Sequence, residues 1–182
     1  MNEQDKAIKL FEEKKYDKSK EILEKLLEKE PENPLLLRTL GECLVELKEA
    51  EFALEYLKKA FELEKSPENE GALGSCYYAL KDYDNAQIHL IGSVVDKYND
   101  KYAKILEKAL LTKHNDEAML GLKLLMHETH PKDILVLRDI TNFAQKLKKF
   151  DIALEHFKIL LALCPNDYVA WNNMGLVYEE IG

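Results

Sequence analysis

Arginine is nearly missing from this chain. Arg38 and Arg138 are the only two among 26 basic residues. Bidentate phosphate and guanine contacts depend on arginine's planar fork, and the formal net charge is −8, so nucleic acid is not the expected partner. Glycine (7) and proline (5) are scarce in 182 residues, which excludes a loop-rich or hairpin-rich β architecture. Cys43, Cys76 and Cys164 are odd in number and lack a CxxC spacing, which excludes a disulfide framework and a zinc ribbon. There is no apolar run long enough to span a bilayer, and the opening MNEQDKAIKLFEEKKYDK has no signal-peptide core. Membrane insertion is not expected, and a cytoplasmic location is.

What the chain does contain is helix-forming residues in a repeated order. Lysine, glutamate, leucine and alanine dominate. Sliding LGECLVELKEAEFALEYLKKAF, from Leu40, by 33 residues lays it on LGSCYYALKDYDNAQIHLIGSV, from Leu73. Gly41 then falls on Gly74, Cys43 on Cys76, Leu44 on Tyr77, Ala53 on Ala86, Leu57 on Leu90 and Ala60 on Ser93. Small residues meet small ones and large meet large over two helix lengths. Ser19, Leu23 and Leu26 extend the pattern upstream; Ala118, Leu122, Leu125 and then Ala153, Phe157, Leu160 extend it downstream. Such a period is the signature of a stacked repeat.

Within each unit the apolar residues recur at helical spacing. Leu36, Leu37, Leu40, Leu44 and Leu47 form one stripe, and Ala53, Leu57, Ala60 and Phe61 the next. Short polar turns begin at Lys48, Lys81 and Lys148, and Pro31, Pro34, Pro67, Pro131 and Pro165 punctuate the joints between units.

A helix–turn–helix of this length, with large–Leu–Gly–Tyr in its first helix and Ala–Phe–Ala–Pro in its second, resembles the tetratricopeptide repeat (TPR). Trp171, Gly175 and Tyr178 match the first-helix signature, with Met174 in the leucine place; Leu37, Leu40 and Gly41 match it in the second unit. Ala53, Leu57 and Ala60 match the second-helix signature, as do Ala153, Phe157 and Pro165. The resemblance implies an all-α, right-handed α-solenoid of stacked antiparallel helix pairs, forming one domain over 1–182. Its units run approximately 1–33, 34–66, 67–98, 99–132 and 133–167, with the first helix of a sixth at 168–182. The fourth unit departs from the pattern: its first helix lacks the glycine, and its spacings to its neighbours are about 32 and 35.

The resemblance also implies a concave groove lined by first helices, which holds a peptide or helix of a protein partner. The groove-facing positions it suggests are Arg38, Glu42 and Glu46, then Ser75 and Tyr78, then Arg138 and Asn142, and finally Asn173. Some TPR domains clamp a C-terminal carboxylate with lysine, arginine and asparagine on successive units. Arg138, Asn142 and Asn173 fall near three of those places; ordinary solvated polar residues are the competing reading. His127 and His130 in MHETHP have i, i+3 spacing but too few companions for a metal site. Cys43 and Cys76 read as small thiols filling a tight contact. No phosphate-binding loop, nucleophile elbow or zinc pattern is found. No cofactor, metal or catalytic activity is therefore expected.

The last segment, WNNMGLVYEEIG, carries Trp171, Met174, Val177 and Tyr178 on a helix with no second helix after it. It is expected either to pair with another copy or to continue in a longer protein. The leading functional expectation is a scaffold or adaptor. The alternatives are the substrate-selecting region of a longer enzyme and a nucleic-acid-binding helical repeat.

Overall fold

The computed structural model describes residues 2–182, and these form eleven α-helices with no strand among them. They are α1 (Glu3–Glu12), α2 (Tyr16–Leu27), α3 (Pro34–Glu46), α4 (Ala50–Leu63), α5 (Pro67–Ala79), α6 (Tyr83–Asp96), α7 (Asp100–Lys113), α8 (Asp116–Thr129), α9 (Ile134–Lys146), α10 (Phe150–Leu163) and α11 (Tyr168–Ile181). The chain folds as two compact units, one ending at Ala109 and the other running from Leu110 to Gly182.

Helix starts follow from their capping residues. The side chains of Asn33, Ser66, Asp133 and Asp167 each accept from a backbone N–H in the first turn of the following helix. Pro34 and Pro67 open their helices where no N–H is required. The turn inside each pair is a clasp. Lys14, Lys48, Lys81, His114 and Lys148 all take positive φ, between 53° and 68°. The backbone N–H that follows each reaches back five residues: Lys15 to Leu10, Glu49 to Leu44, Asp82 to Tyr77, Asn115 to Leu110, Lys149 to Ala144. These bonds satisfy carbonyls that the helix end would leave unpaired.

In the first unit the core runs through Ala7, Leu23, Leu36, Leu40, Cys43, Leu57, Leu73 and Cys76. Close approach depends on glycine. A methyl group on Gly41 would fall 2.4 Å from Leu57 Cγ, and one on Gly74 would fall 2.8 Å from Leu90 Cγ. Each pair thus seats a leucine knob on a bare stretch of backbone, and burying such a leucine contributes roughly 2–3 kcal/mol. Where serine takes the small place, its hydroxyl finds a carbonyl: Ser19 donates to Ala7 O at 2.8 Å and Ser93 to Pro67 O at 2.6 Å. Burial pushes the Cys43 and Cys76 thiols up to about 11, and Cys76 Sγ lies 3.3 Å from Ala50 O. Both are inert filler at neutral pH.

The second unit has its own core of Leu120, Leu137, Ile140, Ala144, Ala153, Phe157, Leu160 and Val177. Lys123 is buried within it and pairs with Asp139 at 2.8 Å. His127 and His156 meet edge to face, with ring centroids 5.2 Å apart. Burial, reinforced by His156, lowers the His127 pKa, although Glu155 and Glu128 pull it back upward. Its Nδ1 is buried without a hydrogen-bond partner.

Candidate partner-binding site

Three stretches of first-type helix in the first unit have residues at i, i+4, i+7 spacing: Arg38, Glu42 and Val45 on α3; Gly71, Ser75 and Tyr78 on α5; Lys101, Ile105 and Lys108 on α7. Seven of these nine, all but Arg38 and Gly71, line one open pocket of about 480 Å³, joined by Glu46, Lys48, Ala50, Ala72 and Ala79. Helical spacing puts each set on one face.

α7 is held in place by Tyr102. Its ring covers Gly71, where an added methyl would sit 2.4 Å from the ring carbons, and its hydroxyl donates to Glu68 O at 3.1 Å. Burial pushes the Tyr102 phenol well above its ordinary range. The neighbouring Lys101 therefore stands at the pocket wall, where its ammonium pairs with Glu42 Oε1 at 2.6 Å and lies 5.5 Å from the Tyr102 ring centre. The exposed lysine makes this a surface ion pair, worth no more than about 1 kcal/mol, so a ligand's charged group can replace either partner. Ser75 donates to Gly71 O at 2.7 Å, and Tyr78 packs against Tyr83 with ring centroids 5.7 Å apart. The floor between them is alanine and isoleucine. The pocket thus offers charges of both signs around a small apolar centre.

Of the positions suggested by the sequence, the structure brings Glu42, Glu46, Ser75 and Tyr78 together here. Arg38 is turned aside: Nη1 donates to Asn69 Oδ1 at 3.4 Å, and Nε lies 3.9 Å from Glu42. Arg138, Asn142 and Asn173 belong to the second unit. The Arg138 guanidinium pairs with Asp167 at 2.8 Å, so an incoming carboxylate would have to displace that side chain. Asn142 is exposed and Asn173 half-buried. Sequence reading missed Lys101, Ile105 and Lys108. The repeat register gave no signal for them: at a shift of 33 from α5, the places of Gly71, Ser75 and Tyr78 fall on Lys104, Lys108 and Leu111, so of the three only Lys108 stands at a repeated place.

Antiparallel helix pairs closed by five like turns define the class: an all-α helical-hairpin repeat protein. Residues 10–65 match the family model for the tetratricopeptide repeat. Solved structures share the fold over most of the chain. YrrB, a TPR protein with an unusual peptide-binding site, is 19% identical, with 87% of this chain and 82% of that one covered and a TM-score of 0.61. MamA of AMB-1 is 20% identical, with 93% and 94% covered and a TM-score of 0.67. Pseudomonas aeruginosa pilF is 14% identical, with 88% and 74% covered and a TM-score of 0.65. Among curated proteins no significant sequence match is found. Residues 10–65 thus carry the tetratricopeptide repeat pattern, and the chain shares the fold of these solved repeat structures. No helix among the described residues is long and apolar enough to cross a membrane.

Proposed function

We propose that the protein is a non-enzymatic adaptor that holds a peptide or helix of a partner protein in the pocket lined by α3, α5 and α7. The observation that carries this reading is the convergence of three i, i+4, i+7 faces on one concave surface of mixed charge and small apolar residues. A pocket with a few polar groups around an apolar floor is what peptide recognition requires. The reading is non-enzymatic because the one hydroxyl nucleophile on an aliphatic side chain there, Ser75, has its proton engaged by its own helix. It is cytoplasmic because the buried thiols suit a reducing compartment. YrrB's peptide-binding site supports the ligand class by likeness of fold.

The test is selection of displayed peptides on the wild-type protein, followed by affinity measurement on Ser75→Arg. The substituted side chain fills the pocket from a half-buried position. Selected peptides are expected to bind at least tenfold more weakly while the melting temperature stays within a few degrees. Peptides that bind the variant equally well would place the site elsewhere.

A further inference from the structure

Between α2 and α4 lies another open pocket of the first unit, of about 600 Å³. Its floor is Leu44, a core residue of α3, and the rings of Phe52 and Tyr56 line it from α4. Phe52 is 69% exposed. The fold does not ask for a ring there. Counting back one residue from Ser19, Ala86, Ala118 and Ala153, the other repeats carry Lys18, Asn85, Glu117 and Ile152 where the second has Phe52. Glu24, on the facing wall, departs from the repeat as well. The later repeats carry Lys58, Ile91, Lys123 and Lys158 at its place. One repeat thus reverses a charge, the next adds a ring, and both changes line the same pocket.

The charge around the rings is one-sided. Glu24, Glu49, Glu51 and Glu55 face a single amine, Lys20, and Glu49 takes that amine at 2.7 Å. Among the described residues no ion pair engages Glu24, Glu51 or Glu55. Glu51 has a local reason to be acidic, since it stands in the first turn of α4, where a carboxylate complements the helix dipole. Glu24 is in mid-helix and has none.

An apolar floor between rings and carboxylates suits a side chain that is apolar along its stem and cationic at its tip. Arginine fits better than lysine, because its weakly hydrated, planar guanidinium stacks on a ring while its N–H groups reach carboxylates. Neither arginine of this chain lies at the pocket: Arg38 is held by Asn69 and Arg138 by Asp167. A second copy, with its net charge of −8, is repelled by the same carboxylates.

We propose that the α2–α4 pocket docks an arginine-bearing basic segment of a partner protein, with the arginine stem over Leu44 and the guanidinium shared by the Phe52 ring and Glu24. This surface is separate from the α3–α5–α7 pocket and carries a different ligand.

The probe is an end-blocked heptapeptide of alternating alanine and arginine, titrated into the whole protein at about 0.15 M salt and followed by amide NMR. Saturable shifts are expected to cluster at the pocket residues of α2 and α4. Phe52→Ser is expected to weaken binding about fivefold without altering net charge, and Phe52→Tyr to retain it. Glu24→Lys, which installs the residue found at Lys58, Lys123 and Lys158, is expected to weaken it roughly tenfold. Both positions are exposed, so the melting temperature is expected to stay within a few degrees. The lysine counterpart of the peptide is expected to bind about threefold more weakly. Ser75→Arg, which fills the other pocket, is expected to leave binding unchanged. Shifts spread over the acidic surface at large, undiminished binding to Phe52→Ser, or equal binding of the lysine peptide would overturn the proposal. Loss of binding in Ser75→Arg would move the peptide to the α3–α5–α7 pocket and overturn it as well. So would a dimer of the protein alone that Phe52→Ser dissociates, since a second copy would then be the occupant.

Discussion

The α3–α4 and α9–α10 pairs solve the same packing problem with opposite residues. In α3–α4 the crossing is a glycine under a leucine, Gly41 beneath Leu57. At the equivalent places α9–α10 carries Thr141 and Phe157, larger at both, and each is buried, to 2% and 1% exposure. Thr141 manages its hydroxyl within its own helix by donating to Arg138 O at 2.8 Å. Register is therefore what the repeat holds fixed, while the volume at each crossing is settled pair by pair. A small residue is needed only where a large one comes down directly upon it, because packing at interior density leaves no slack for an added methyl.

The largest effect is expected in the pair with the larger residues. Phe157→Ala should destabilise the protein by about 3–5 kcal/mol, because it empties a fully buried ring site, and chemical denaturation would measure it. A cost below that of Leu57→Ala would mean that α9–α10 collapses around the gap, and the two crossings would then differ in stiffness as well as in size. The next effect sharpens the comparison between glycines. Gly41→Ala should cost about 1–3 kcal/mol through overpacking against Leu57. Gly175→Ala should instead raise stability by roughly 0.5–1 kcal/mol, because alanine is the better helix former and meets nothing. Equal signs for the two would end the distinction between a filled and an open crossing.

The smallest effect separates the units by pH. His127 has its pKa lowered on folding, by burial first and by His156 second. The unfolded chain therefore takes up this proton at a higher pH than the folded one. The stability linked to it is fully present above the ordinary histidine value of about 6.5 and is lost as pH falls through the lower folded value. Melting curves between pH 7.5 and 5 are expected to show a decline that His127→Phe reduces. An unchanged slope in that variant would remove His127 from the account.

Much of the fold was legible because small residues at crossings leave a periodic trace. Gly41, Gly74, Ala53 and Ala86 fixed the register, which places Glu42 on α3 and Ser75 and Tyr78 on α5. Lys101, Ile105 and Lys108 escaped because α7 has Glu107 where α3 and α5 have Gly41 and Gly74, so the small-residue signal is lost there. Arg38 and Arg138 were placed on the right helices, yet spacing says nothing about where a long side chain ends. Asn69 takes one guanidinium and Asp167 the other, and both partners lie about thirty residues downstream. The contact between His127 and His156 was hidden for the same reason: neighbours across helices leave no mark in local periodicity.

The clasps at Lys14, Lys48, Lys81, His114 and Lys148 dictate where this chain tolerates changes in length. Each is closed by a hydrogen bond over a fixed number of residues, so a single insertion there would open the bond and swing the next helix by about 100° around its axis. The joints between pairs obey no such rule: six residues separate α2 from α3, and three separate α4 from α5. Insertions, tags and grafted loops belong at those joints, and a lineage of related chains should vary in length there first.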